Sequence, residues 1–107
     1  MSIQFSGFDW DEGNNTKNVQ KHGITCVEAE VVLQTSSLIY IDTHHSTDLE
    51  KRYVAFGEVE NKKLFISFTI RNEKARVISA RPMSRKERKW YEEQKKAPKT
   101  NDEQANF

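Results

Sequence analysis

A chain of 107 residues has room for one domain and one modest core, and 36% apolar against 31% charged residues is lean for a globular protein. No apolar run approaches the roughly eighteen residues of a membrane span, residues 1–5 lack the basic and apolar regions of a signal peptide, and the single cysteine, Cys26, can neither form an internal disulfide nor complete a zinc site, which together predict a cytoplasmic location and no membrane partner. The net charge of +1 conceals a division, ten acidic and four basic side chains in residues 1–60 against four acidic and twelve basic in residues 61–96, so a basic surface suited to a polyanion adjoins an acidic one.

Residues 5–10 read as a short aromatic strand, with Phe8 and Trp10 on opposite faces or at a sheet end. Asp11 is placed to N-cap a helix over residues 12–22, and Gly23 is a suitable residue just past its end. Thr25 and Glu28 then make a capping box for a second helix of about eight to ten residues. Residues 38–41 follow as a strand and residues 42–48 as a polar loop. Its neighbouring histidines, His44 and His45, point apart on an extended backbone, and no cysteine or suitably spaced acid completes a metal set. No metal or other cofactor is expected.

Residues 51–59 predict a third strand, with Tyr53, Ala55, Gly57 and Val59 on one face and Arg52, Val54 and Phe56 on the other. A turn at Glu60, Asn61 and Lys62 leads into the strongest strand pattern of the chain, residues 64–71, and a second turn into residues 75–81. Pro82 cannot continue a central strand. Ser84 and Glu87 form a further capping box, opening a C-terminal helix to about Lys96 with Arg85, Lys86, Arg88 and Lys89 in its first turns. Trp90 and Tyr91 follow, read as core packing of that helix ahead of base stacking. Residues 1–97 are expected to form a single domain, with residues 98–107 a disordered polar tail. The order strand, two helices, four strands, helix predicts an α+β fold: an antiparallel β-sheet meander packed by two N-terminal helices and one C-terminal helix.

Register then sorts the cations. Centring the first turn on Asn61 and Lys62 sets Val59 against Leu64 and Arg52 against Arg71. Two arginines directly opposite repel, so an anion between them is expected, either an internal carboxylate such as Glu50 or an external phosphate. A simple turn around Glu73 sets Arg71 against Ala75 and Arg81 against Phe65, which separates Arg71 from Arg81 by about 20 Å.

Phe8, Asp9, Trp10 and Asp11, then Asn18, Lys21, His22, Gly23 and Ile24, then His45, Ser46, Glu50, Arg52 and Gly57 resemble the BrnT toxin family. So do residues 64–71, Arg76 to Arg81 with its Ile78, Ser79, Ala80 run, and Arg85, Lys86, Glu87, Arg88 and Tyr91. The similarity spans about residues 5–95, departing at Gly13, Asn14 and Asn15, where helix formers such as Ala are more usual. The resemblance implies a RelE-like fold and the toxin of a type II toxin–antitoxin pair. It implies RNA cleavage by the RNA's own 2′-hydroxyl without a metal, inhibition of translation, and a cognate BrnA-like antitoxin whose DNA-binding complex with the toxin represses its own operon.

In that setting the candidate catalytic residues are Arg71 and Arg52 for phosphate and transition-state charge, Arg81 as a further phosphate ligand, His22 for proton transfer, and Lys21 for charge or as a base. Arg76, Arg85, Lys86, Arg88 and Lys89 are the candidate RNA-binding residues. His22 also reads as a helix C-terminal cation. Two other classes stay open: a non-catalytic nucleic-acid- or partner-binding module using the basic hairpin and C-terminal helix, and a structural adaptor.

Overall fold

The computed structural model describes residues 4–14, 21–35 and 38–96. The order is β1 (Gly7–Phe8), helical residues 12–14 and 21–22, α1 (Cys26–Gln34), β2 (Leu38–Ile41), β3 (Arg52–Val59), β4 (Lys62–Arg71), β5 (Lys74–Pro82) and α2 (Arg85–Lys96). The fold is α+β, around one five-stranded sheet of order β1-β5-β4-β3-β2. No described helix is long and apolar enough to cross a membrane. The expected tail and the middle of the first expected helix lie outside the described residues.

Strands β2 to β5 make the antiparallel meander. The sheet is nevertheless mixed, because β1 pairs in parallel with β5, Gly7 against Lys74 and Phe8 against Ala75. Short turns exclude parallel pairing only between consecutive strands, whereas β1 and β5 are joined by most of the chain. The first strand is also shorter than residues 5–10, and Phe8 and Trp10 both pack against a single core cluster.

Both hairpins are tighter than a simple count suggests. Glu60 and Asn61 (φ 47° and 67°) and Asn72 and Glu73 (φ 50° and 66°) form two-residue turns with positive φ at both positions, the type I′ geometry that matches strand twist. Val59 therefore pairs with Lys62, and Arg52 with Thr69 rather than Arg71. The error is two residues, so every side chain keeps its expected face. Along β4 and β5, Arg81 does pair with Phe65, but Arg71 pairs with Lys74. The difference is taken up by a bulge, since Ser67 pairs with Ser79 while Phe68 pairs with Val77 and leaves Ile78 over.

The sheet has a core on each face. On one, Leu64, Ile66, Phe68, Ala55 and Val77 meet Ile24, Ala29, Val32 and Leu33 from the α1 layer. On the other, Val54 and Phe56 meet Met83, Trp90 and Tyr91 from the α2 layer. α1 starts on the expected capping box of Thr25 and Glu28. The start of the first helical segment is held by Asn14, one of the residues that departs from the family pattern. Its backbone N–H donates to the Asp11 carboxylate at 3.0 Å, and its own side-chain oxygen accepts from the Asp11 N–H at 2.7 Å. Its amide also donates to the carbonyls of Asp9 and Val77, both at 3.1 Å. A weak helix former is thus here a reciprocal cap that reaches the sheet.

α2 is fixed by one carboxylate. Glu87 accepts the Ser84 N–H at 2.8 Å, completing the expected box, and takes both arms of the Arg81 guanidinium at 2.7 and 2.9 Å. Arg81 lies over the Phe65 ring, 4.2 Å from its centroid. Farther along, Glu92 pairs with Lys63, and Lys95 with Glu58.

Two outcomes check this account. Asn14→Ala leaves the buried Val77 carbonyl without its amide donor and should cost about 1–3 kcal/mol in chemical denaturation; a loss under about 0.5 kcal/mol, the ordinary range for surface changes, would refute the bridging role. The hydrogen bonds from Arg81 hold the Glu87 carboxyl below the usual carboxylate range. The pair's contribution is then complete above about pH 5 and is lost as pH falls through the lowered value. Arg81→Met should destabilise by about 1 kcal/mol at neutral pH, a modest figure because the arginine is 37% exposed, and the gap to the parent should close in acid. A gap that widens as pH falls contradicts it.

Candidate active site

Register arranges the α2 face of the sheet in rows. Leu38, Phe56, Phe65 and Arg81 form one row, and Tyr40, Val54, Ser67 and Ser79 the next. α2 covers this half, with Trp90 edge-on to Phe56 at 4.9 Å and tilted against Tyr40 at 5.7 Å. Trp90 and buried Tyr91 are core residues, as expected. All the anchors of α2, at Arg81, Glu58 and Lys63, lie toward the Glu60–Asn61 turn. Beyond the covered half the face turns polar: Arg52, Thr69 and Arg76 make a third row, Arg71 and Lys74 a fourth.

The loop between β2 and β3 borders these polar rows. Asp42 prolongs the ladder, its N–H donating to the Arg52 carbonyl at 2.8 Å. The Ser46 hydroxyl accepts the Arg52 N–H at 2.9 Å and donates to the Asp42 carbonyl at 2.7 Å. The Thr47 hydroxyl accepts the Glu50 N–H at 3.0 Å, and the Thr69 hydroxyl donates to the Lys51 carbonyl at 2.7 Å. A loop closed by so many local bonds presents its side chains in fixed positions.

Two of the expected arginines come together here. Glu50 bonds Arg52 Nε at 3.4 Å and Arg71 Nη2 at 3.1 Å. The bond from Arg71 is the main cause holding the Glu50 carboxyl below its usual range. The guanidinium side chains are 35% and 53% exposed, so both can reach a ligand from solvent. The anion expected between them is thus the internal carboxylate, reached diagonally across the strands rather than by direct opposition.

The remaining candidates are dispersed. Arg81, about 20 Å along the sheet by register, is clamped between Glu87 and Phe65. Arg76 is engaged by Asp11 at 2.6 Å and Asp9 at 3.5 Å, and the Asp11 bond raises its pKa. Arg88 donates to the Met83 carbonyl at 3.0 Å, while Arg85, Lys86 and Lys89 stand exposed on α2. Lys21 and His22 are exposed and lead through Gly23 into Ile24, which is buried in the core of the α1 face.

One pairing was missed by sequence reasoning. His45 Nδ1 lies 2.8 Å from Asp42 Oδ2, on the loop whose backbone joins Arg52, and the other oxygen of Asp42 accepts the N–H groups of His44 and His45 at 3.1 and 3.3 Å. The three-residue spacing was a visible signal of such a turn, obscured by asking of the two histidines only whether they bind metal. Among the described residues no three His, Cys, Asp or Glu side chains gather to hold a metal ion.

Two exposed arginines thus share one carboxylate, and the adjoining loop holds an imidazole on another. Residues 10–87 match the family described as "Ribonuclease toxin, BrnT, of type II toxin-antitoxin system". No curated protein and no solved structure matches the chain. The match takes in the polar rows, the loop that borders them and the capping box of α2, and toxins of this type have an antitoxin partner. Together they make the chain a member of the BrnT family, the ribonuclease toxins of type II toxin–antitoxin systems.

Proposed function

We propose that the polar half of the α2 face cleaves RNA by metal-independent attack of the 2′-hydroxyl on the adjoining phosphate, and so inhibits translation in the cytoplasm. The supporting observation is the convergence of Arg52 and Arg71, from different strands, on one carboxylate while both stay open to solvent. An approaching phosphate meets two guanidinium groups already held in place. Charge that grows on the phosphorane oxygens is stabilised by preorganised donors, with little reorganisation during the reaction.

In the free protein Glu50 occupies the position of the substrate anion. Because its carboxyl is held below the usual range, it is a weak base and a persistent negative charge. Its role is to keep the arginines apart from each other's repulsion until RNA arrives. Exposed Lys74, next to Arg71 across the strands, extends the positive surface, and Arg85, Lys86 and Lys89 offer further phosphate contacts along α2. Lys21 and His22 belong to this reading as RNA contacts around the edge of the sheet. The partner is a BrnA-like antitoxin that binds DNA and represses the shared operon with the toxin; the support for this identity is the family pairing, and a short neighbouring reading frame for a DNA-binding protein is its direct check.

Incubation of the purified chain with cellular RNA in EDTA tests the nuclease. Cleavage should persist in chelator, and Arg71→Ala and Arg52→Ala should each slow it by about 10²–10³-fold. Intact RNA with salt-sensitive binding would favour a binding module instead. Glu50→Gln, which removes the competing anion, should tighten RNA binding at low salt and steepen its salt dependence; weaker binding by this variant would contradict the placeholder role.

A further inference from the structure

We infer that His45 is the general base that activates the 2′-hydroxyl, and that Asp42 is its positioning residue. The inference rests on the nuclease reading and adds the group that moves the proton, which the arginines cannot be, since guanidinium does not give up its charge in proteins.

The chain has three histidines. Among the described residues His45 is the one imidazole whose ring nitrogen is held by a carboxylate, Nδ1 to Asp42 Oδ2 at 2.8 Å. An ionised carboxylate only accepts, so Nδ1 carries the hydrogen and Nε2 is left with its lone pair. A neutral imidazole fixed in this tautomer is a base ready for use, and its side chain is 67% exposed. Asp42 is fixed in turn, its carboxylate only 17% exposed and accepting two loop N–H groups, and its backbone joined to Arg52. The base and one phosphate-binding arginine are therefore positioned by neighbouring residues of one ladder. Neither His44, which shares the loop, nor exposed His22 has a carboxylate on its ring among the described contacts.

Asp42 is the charged group bonded to the imidazole, in direct contact with the ring; the same loop carries Asp48, Glu50 and Lys51 and leads into Arg52 of β3, which shares Glu50 with Arg71 of β4.

In the step itself, His45 Nε2 takes the proton of the 2′-hydroxyl as its oxygen forms a bond to phosphorus. The bond from phosphorus to the 5′-oxygen breaks, and that oxygen takes a proton from water. The products are a 2′,3′-cyclic phosphate and a 5′-hydroxyl, and imidazolium returns its proton to solvent. Arg52 and Arg71 hold the phosphorane charge throughout.

The test follows cleavage of a short RNA oligonucleotide in EDTA by the full chain from about pH 5 to about pH 9, a range that brackets imidazole titration. The parent rate should rise through the imidazole range. His45→Gly should lower kcat by about 10²–10⁴-fold, lose that rise, retain RNA binding and recover with added imidazole, whereas His44→Asn should stay near the parent. Asp42→Asn, free to offer the ring either face of its amide, should lower kcat with KM unchanged. An unaltered pH profile in His45→Gly overturns the assignment while the nuclease reading stands. A parent chain that leaves RNA intact, or cleavage indifferent to Arg71→Ala, overturns both.

Discussion

The placement of α2 depends on the Glu87 carboxylate, and the exposure of the functional surface depends on the placement of α2. Glu87 caps its own helix and grips Arg81 at the same time, so one carboxylate both starts the helix and binds it to one end of the sheet. A twelve-residue helix, about 18 Å long, cannot cover the whole of one sheet face. Anchored by Arg81, Glu58 and Lys63, it covers the aromatic rows and leaves the arginine rows bare. The charge-assisted contacts are individually modest at the surface, yet here they decide geometry more than stability.

A second principle sorts the cations. The basic half of the sequence suggests many equivalent phosphate ligands, but the fold supplies carboxylates unequally. Arg81 has Glu87, Arg76 has Asp9 and Asp11, and Lys63 and Lys95 have Glu92 and Glu58. Arg52 and Arg71 must share Glu50. They are two sheet arginines with one carboxylate between them, and both sit where solvent reaches them. Carboxylates from both halves of the chain therefore do more than balance the total: they engage some cations and leave others open to solvent.

Much of this was legible in the chain. Both later capping boxes, the four-strand meander and the division of β3 into two faces follow from spacing alone, and the face assignments survive a register error because that error is even. The parallel pairing of β1 was not legible, since two residues carry no pattern that names a distant partner. The bulge at Ile78 was equally hidden, because an extra residue between Val77 and Ser79 leaves no local mark in the sequence. Arg81 looked like a site residue as long as its carboxylate partner, six positions along and across a proline, could not be seen. His45 was discounted by testing it for metal ligation alone, when the acid three residues before it was already a partner of another kind.

The bridge from Asn14 to the Val77 carbonyl has a consequence for assembly. β1 pairs with β5 only at Lys74 and Ala75, so the longer strand would otherwise present unsatisfied backbone, the usual template for sheet-to-sheet aggregation. A side-chain amide occupies that template at Val77, and Pro82 at the far end of β5 has no N–H to offer. Among the described residues, growth on this side of the sheet is opposed at Val77 and at Pro82. Among the described residues β2 is the other edge, and an added strand would find its open ladder there.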